Sequence, residues 1–254
     1  GEMLHTVERE GIDAAGLEAH IASQPTPIAD CYEEAATLAI SYAIQQRKAR
    51  AFFDIGADAG YFSRLATACG VDIVHAFDAR PSSLNALRSL DERVTVHAAA
   101  LSDHHKGEMT VWWTGAQIFE RKPTLQQRLS LAFRRKFRIH EARATLTSID
   151  HFVSAGGIMP DVIKIDVDGY EGKVLRGGSR TFENHKPTIA LELHQNTKLV
   201  FGDTRPGIVA MLTDIGYKAL FLTDHHDRDA CRVVEVSADH PLVARQETDF
   251  LLFV

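Results

Sequence analysis

The pattern of apolar and polar residues along this chain predicts strands that alternate with helices. An apolar run at residues 51–55 ends at a glycine-rich turn, and apolar residues then recur at helical spacing. Further runs of strand length lie at residues 71–78, 94–101, 161–166 and 187–194. Buried strands that alternate with helical segments are typical of an α/β fold with a doubly wound, mostly parallel sheet. We therefore predict that fold.

Two segments depart from this rhythm. Residues 1–49 read as a helical N-terminal cover, with helices predicted at residues 4–24 and 28–46 and two prolines between them. Residues 114–143 read as a basic helical insert, with apolar residues on one face and arginines on the other. Neither a repeat nor a second domain is visible, so we predict a single domain over residues 1–254.

The turn after the first strand is the strongest candidate for a cofactor site. It has the pattern Asp54-x-Gly56-x-Asp58-x-Gly60, and its glycines let the backbone pass close under a ligand. Dinucleotide sites use G-x-G-x-x-G and receive a pyrophosphate, which two acidic side chains would repel. An Asp-Gly turn also occurs without any ligand. A cationic ligand suits this one better, and S-adenosylmethionine has an ammonium, a sulfonium and no phosphate.

The end of the second strand supports an adenosine cofactor. Asp78 follows the turn by about 20 residues, where an acid can accept both hydroxyls of a ribose. NAD sites share this feature, so the acidic turn decides for S-adenosylmethionine. The residues predicted to bind it are Asp54, Gly56, Asp58, Gly60, Phe62, Asp78, Ala79, Ala100, Leu101 and Asp166.

Acidic residues and a histidine lie at the ends of the fourth and fifth predicted strands. Asp166 and Asp168 follow one strand, and Glu192 and His194 end the next on the same face. Asp166, Glu192 and His194 could hold Mg²⁺ or Mn²⁺. Alternatively Asp166, Asp168 and His194 act as catalysts, with His194 or Asp168 as the general base. These acids could instead cap the helices that follow the strands, without a role in catalysis or metal binding, and this alternative is strongest for Asp168.

The net charge of −6 is unevenly distributed. Residues 121–143 hold eight lysines and arginines against one acid, a net charge of +7. These side chains either solvate a helix or meet an anionic partner. We predict that residues 116–143 form a mobile lid, in which Arg134, Arg135 and Arg138 contact an anionic substrate or surface.

Composition places the chain among ordinary globular proteins. It has 254 residues, of which 45% are hydrophobic and 24% charged. No run approaches the roughly 18 apolar residues of a membrane span, and the first residues lack the pattern of a secretory signal. Three cysteines without metal-like spacing indicate reduced thiols. We therefore expect a cytoplasmic protein without a transmembrane segment.

Six motifs occur in a fixed order between residues 50 and 220: FFDIGADAGYFS, HAFDARP, AAALSD, TLTSID, VIKIDVDGYEGKVLRGG and ALELH. In these the chain resembles the FkbM-type family of S-adenosylmethionine-dependent methyltransferases. The family usually has Asn where this chain has Asp58, and Glu in place of Asp78 and Asp168. The resemblance implies a class I methyltransferase fold with a seven-stranded, mostly parallel sheet. It also implies methyl transfer, usually to a hydroxyl of a sugar, polyketide or similar metabolite.

Three functions follow from these observations. The leading one is O-methylation of a small metabolite, sugar or natural product, including an anionic one, and the insert leaves the acceptor open. An RNA ribose methyltransferase is the enzymatic alternative, which salt-dependent RNA binding would reveal. Base methylation is disfavoured, because the chain has no Asn-Pro-Pro-aromatic run and no cysteine at the fourth strand. A non-catalytic S-adenosylmethionine-binding protein is the third. The sequence does not indicate the oligomeric state.

Overall fold

The computed structural model describes residues 11–29, 31–115, 117–124, 138–196, 199 and 202–254. Its strands are β1 (Ala51–Ile55), β2 (Ile73–Asp78), β3 (Val94–Leu101), β4 (Gly107–Thr114), β5 (Gln117–Phe119), β6 (His140–Thr147), β7 (Val162–Ile165), β8 (Thr188–Leu193), β9 (Ala219–Leu222), β10 (Val233–Val236) and β11 (Asp249–Phe253). Its helices are α1 (Ala14–Ser23), α2 (Glu34–Arg47), α3 (Tyr61–Ala68), α4 (Pro81–Leu87), α5 (Ile149–Ser154), α6 (Glu171–Arg176), α7 (Ser179–His185), α8 (Arg205–Thr213) and α9 (Pro241–Ala244).

These strands form one sheet in the order β10-β9-β11-β8-β7-β1-β2-β3-β6-β4-β5. Strands β8, β7, β1, β2 and β3 are parallel to one another, and β11 is antiparallel to both of its neighbours. The strand order reverses between β1 and β7, so the chain winds in both directions from the centre of the sheet. This confirms the predicted doubly wound fold, in which ligands bind where the order reverses.

The sheet is larger than the seven strands that the resemblance implied. The seven-stranded core runs β3-β2-β1-β7-β8-β11-β9, and β10 extends one edge while β6, β4 and β5 extend the other. Strand β6 pairs parallel with β3 and antiparallel with β4. Its sequence, HEARATLT, has exposed charged residues in its first half and lacks the apolar run of a buried strand. The pattern of apolar and polar residues therefore did not predict β6.

The ends of the predicted helical insert at residues 114–143 are extended rather than helical. Strand β5 lies just inside its start and β6 begins before its end. Residues 125–137 lie outside the described residues. Arg138, which is described, is exposed and precedes β6.

Two apolar layers cover the sheet, one on each face. Adjacent residues of β1 point to opposite faces: Phe52 belongs to the layer that contains α1, α2 and α3, and Phe53 to the layer that contains α6 and α8. Both side chains are fully buried. No helix in the described ranges is long and apolar enough to cross a bilayer.

The N-terminal cover is fixed to the sheet by the start of α2. Glu33 at the N-cap makes no side-chain capping bond. Instead the amides of Glu34 and Ala36 donate to the carbonyls of His226 and His225, at 3.2 and 3.1 Å. These bonds satisfy two amides that a helix leaves free at its first turn. They also bring residues 31–33 to the carboxyl edge of the sheet.

Candidate cofactor and acceptor site

The turn between β1 and α3 requires glycine at its start. Gly56 has φ +77°, and a Cβ built there would lie 1.7 Å from the carbonyl oxygen of Asp166. Any other residue would therefore displace the turn or the end of β7. The amides of Gly56 and Ala57 donate to the carbonyl of Phe77, at 3.0 and 3.1 Å. The turn is thus held between the ends of β7 and β2, where a ligand can reach its backbone.

A cavity of about 420 Å³ opens beside this turn. Its size falls in the range of small-molecule sites. Seven of the residues predicted to bind the cofactor line it: Gly56, Asp58, Phe62, Asp78, Ala100, Leu101 and Asp166. Three others are not part of this lining: Asp54, Gly60 and Ala79. The cavity also has an apolar part where β2, β3 and β6 end: Phe77, Ala99, Leu101 and Leu146.

Asp54 lies in the core beneath the turn and pairs with a buried lysine. It is fully buried, and the Ser63 hydroxyl donates to its Oδ2 at 2.7 Å. Burial raises the pKa of Asp54, and Lys164, whose Nζ lies 3.6 Å from Oδ1, opposes that rise. Lys164 also donates to the Gly56 carbonyl at 2.9 Å and lies 3.6 Å from Asp166 Oδ2. Asp54 therefore acts on the turn through Lys164.

Lys164 is a site residue that the sequence reasoning missed. Burial alone would lower its pKa, but Asp166 and Asp54 raise the pKa above its ordinary value, so the ammonium is charged. A lysine inside the apolar run VIKI was the available signal, because a buried lysine needs acidic partners.

Both carboxylate oxygens of Asp78 are bound within the protein. Oδ1 accepts from the Arg80 amide at 2.9 Å and from Arg80 Nε at 3.1 Å. Oδ2 accepts from the Asp58 amide at 3.1 Å and from Arg80 Nη2 at 2.8 Å. Arg80 Nη2 also lies 3.0 Å from Asp58 Oδ1. A ribose that bound to Asp78 would have to replace some of the hydrogen bonds from Arg80. The sequence did not predict these hydrogen bonds.

The acids at the ends of β7 and β8 converge on His194. Its ring is 3% exposed. Nδ1 lies 2.5 Å from Glu171 Oε1. Nε2 lies 3.4 Å from Asp168 Oδ1, 3.6 Å from Glu192 Oε1 and 4.0 Å from Asp166 Oδ1. The structure thus brings together all four residues to which the sequence assigned catalysis or metal binding.

The residues of this cluster shift one another's pKa values. Burial lowers the pKa of His194, but the hydrogen bond to Glu171 and the surrounding acids raise it to about 9. Burial and the charge of Asp166 raise the pKa of Glu192 to about 8. Burial raises the pKa of Asp166 too, but Lys164 and His194 outweigh it and leave that pKa below its ordinary value. At neutral pH the imidazole of His194 is therefore protonated, and the Glu192 carboxyl is protonated in most molecules.

Glu171 fixes the histidine and was absent from the sequence-based site. It is fully buried, and its Oε1 also accepts from the Gly169 amide at 3.1 Å. A carboxylate on Nδ1 directs Nε2 toward the other acids. The glutamate of the DVDGYE motif was the signal, since it opens α6 directly behind the strand-end acids.

The N-terminal cover closes one side of the site. Tyr32 lines the cavity, and its ring centroid lies 4.7 Å from that of Tyr61. Glu33 is 8% exposed, and burial together with Asp166 raises its pKa. The packing of the start of α2 against the β9–β10 loop buries Glu33, whereas Tyr32, at the rim of the cavity, is 59% exposed. Arg134 and Arg135 of the predicted lid lie outside the described residues.

Comparisons with known proteins identify a family that this chain matches. Residues 54–219 match the model of the methyltransferase FkbM domain. Similar solved structures include methyltransferase FkbM from Methylobacillus flagellatus KT, with a TM-score of 0.47, 16% identity and coverage of 94% of this chain and 58% of that one. This chain therefore spans less than two thirds of that protein.

Two further solved structures resemble the chain. Precorrin-6y C5,15-methyltransferase from Geobacter metallireducens GS-15 has a TM-score of 0.45 and 13% identity, over 96% of this chain and 97% of that one. A putative O-methyltransferase from Klebsiella pneumoniae has a TM-score of 0.42 and 12% identity, over 94% and 86%. No curated protein matches the sequence.

Proposed function

This chain belongs to the methyltransferase FkbM domain family, and we propose that it methylates a hydroxyl group of a small-molecule acceptor. The family makes it an S-adenosylmethionine-dependent methyltransferase. The proposal adds the acceptor atom, an oxygen, and the acceptor class: a sugar, a natural product or a similar metabolite. It also assigns roles to residues around the cavity.

We propose that the cavity beside the glycine turn holds the cofactor. Gly56 lets the turn pack against the end of β7 and lines the cavity, and Asp78 offers two oxygens for the ribose once Arg80 moves away. Ala100 and Leu101 provide a flat apolar wall for the adenine. When bound, S-adenosylmethionine supplies a methyl group on a positively charged sulfur. Asp58 and Asp166 line the cavity and supply the negative charge that such a ligand favours.

One observation carries the proposed chemistry: three carboxylates surround His194 Nε2 at 3.4 to 4.0 Å, and two of them, Asp166 and Asp168, line the cavity. A hydroxyl would lose its proton as its oxygen bonds to the methyl carbon and the bond from that carbon to sulfur breaks, with the bonding pair left on sulfur. We assign that proton to the hydrogen-bonded Asp166–Glu192 pair. The raised pKa of Glu192 makes its carboxylate a stronger base than an ordinary one. His194 stays protonated and stabilises the carboxylates, and Asp168 orients the hydroxyl.

The pH dependence of kcat/KM tests these roles. We expect the rate to rise through about pH 8 as Glu192 loses its proton, and to fall near pH 9 as His194 loses its own. These apparent values belong to the whole cluster. Glu192→Gln should remove the rising limb and lower kcat about 100-fold or more. A Glu192→Gln enzyme with the wild-type rate and profile would contradict the assignment.

A metal-dependent version of the reaction rests on the same residues. Donor atoms of Asp166, Glu192 and His194 lie within 4.8 Å of one another, which favours a site for Mg²⁺ or Mn²⁺. Such an ion would lower the pKa of the acceptor hydroxyl and would need a neutral His194. Full activity in a chelator would exclude this version. Activity lost in chelator and restored by Mg²⁺ or Mn²⁺ would establish it in place of the proton route.

The charge of the basic segment bears on the acceptor. Residues 121–143 carry a net charge of +7, which supports an anionic acceptor held by Arg134, Arg135 and Arg138. The same charge supports the alternative of RNA ribose methylation, for which binding would weaken steeply with salt. Replacing the three arginines with glutamate should raise the KM of the acceptor and leave the affinity for S-adenosylmethionine unchanged. The three free cysteines support a reducing compartment such as the cytoplasm.

A further inference from the structure

We propose that Glu33, His225 and His226 bind a divalent transition-metal ion such as Zn²⁺, at a site separate from the acidic cluster around His194. Donor atoms of these three side chains all lie within 4.8 Å of one another. Glu33 comes from the N-terminal cover, and the two histidines come from the loop between β9 and β10. We call these three residues the cover site. The inference does not depend on the proposed acceptor.

Two of the three side chains are buried. Glu33 is 8% exposed and His225 is 5% exposed. Among the described residues, neither the Glu33 carboxylate nor the His225 ring makes a hydrogen bond. His225 makes ring contacts instead, with centroids 6.2 Å from Phe250 and 3.9 Å from His226. Buried polar groups are nearly always paired, since leaving them unpaired costs free energy. A cation held between them would add a direct partner for the Glu33 carboxylate, whose charge only Lys164 and His226 oppose among the partners that shift its pKa.

The donor set identifies the class of that partner. Two imidazoles and one carboxylate are ligands of Zn²⁺ and related ions, whereas Mg²⁺ and Ca²⁺ prefer oxygen alone. His226 is exposed, so an ion can enter from solvent and keep water in its remaining positions.

The backbone already joins the two elements that the ion would bridge. The amides of Glu34 and Ala36 donate to the carbonyls of His226 and His225. A metal on the side chains would reinforce this junction and fix the start of α2. Tyr32, one residue before Glu33, lines the cavity. The cover site would therefore hold one wall of the cavity in place.

The test uses the full chain, stripped of metal and titrated with Zn²⁺ by calorimetry. We expect one tight site in the wild type, and an affinity reduced by about 100-fold or more in Glu33→Gln and in His226→Ala. His226→Ala alters an exposed side chain, and circular dichroism verifies that it folds. Asp166→Asn and His104→Ala are matched controls in the two other candidate clusters. Both controls should keep the wild-type affinity.

Absorption spectroscopy with Co²⁺ in place of Zn²⁺ provides a second readout. The wild type should show the d–d bands of a low-coordinate site, and His226→Ala should lose them. The proposal is overturned if the wild type binds no Zn²⁺, or if Glu33→Gln and His226→Ala bind it as tightly as the wild type does. It is also overturned if affinity falls only in Asp166→Asn, which would place the ion in the acidic cluster instead.

Discussion

Lys164 places a positive charge in the core directly beneath the glycine turn. Its side chain is 4% exposed and pairs with Asp54 and Asp166. The same ammonium pairs with the fully buried Asp54 and donates to the Gly56 carbonyl in the turn. Its removal would therefore leave the buried Asp54 carboxylate without an opposite charge. A single residue thus joins the stability of the core to the geometry of the cofactor turn.

We therefore expect Lys164→Met to reduce the free energy of unfolding by about 3–5 kcal/mol. Arg50→Met is the matched control, since Arg50 forms an exposed ion pair with Asp72 at 3.4 Å. The control should change stability by about 1 kcal/mol or less. Urea unfolding of both variants measures the difference. Equal losses in the two would show that the buried pair contributes no more than a surface one.

Asp78 should contribute most of the ribose recognition. In Asp78→Asn the affinity for S-adenosylmethionine should fall by about 1.5–3 kcal/mol, because charge-assisted hydrogen bonds are lost. Arg80→Ala should bind the cofactor at least as tightly as the wild type, since both Asp78 oxygens are then free of the guanidinium. Calorimetry on the two variants measures this. Unchanged binding in Asp78→Asn would remove Asp78 from the site.

At the scale of elements, periodicity identified the strands and helices that are buried or clearly amphipathic. The parallel strands β1, β2, β3, β7 and β8 were all expected close to their observed bounds. The short β10 and the exposed β6 were not, because neither has an apolar run that separates it from a loop. The contacts of Glu171, Arg80 and Lys164 depend on pairing across distant elements, which no local pattern encodes.

The turn between β1 and α3 offers the sharpest test at this scale. Gly56→Ala should weaken cofactor binding and lower stability, because its Cβ would overlap the Asp166 carbonyl at the end of β7. Gly156→Ala is the control: φ is +98° there as well, but no atom lies within 4 Å of the added Cβ. Strain alone costs roughly 1–3 kcal/mol. Thermal unfolding should show a larger loss for Gly56→Ala, and equal losses would mean that the contact with β7 is unimportant.

At the scale of the whole molecule, the residues proposed to bind the cofactor and to act in catalysis lie along one edge of the sheet. The carboxyl ends of β1 and β2 carry the glycine turn and Asp78, and those of β7 and β8 carry the acidic cluster. Strand order alone could predict that these residues lie close together, since parallel strands end at a common edge. It could not predict that α2 would bring Tyr32 and Glu33 over that edge. That depends on how the N-terminal cover packs against the β9–β10 loop.

The acceptor atom is the central claim, and the position of the transferred methyl group tests it most directly. The enzyme is incubated with S-adenosylmethionine carrying a ¹³C-labelled methyl group and with hydroxyl-bearing sugars and natural products, and the product is examined by carbon–proton NMR. We predict a signal at the chemical shift of a methoxy carbon, reduced about 100-fold or more in Glu192→Gln. A label on nitrogen or carbon, or methoxy formation that Glu192→Gln leaves unchanged, would contradict the account.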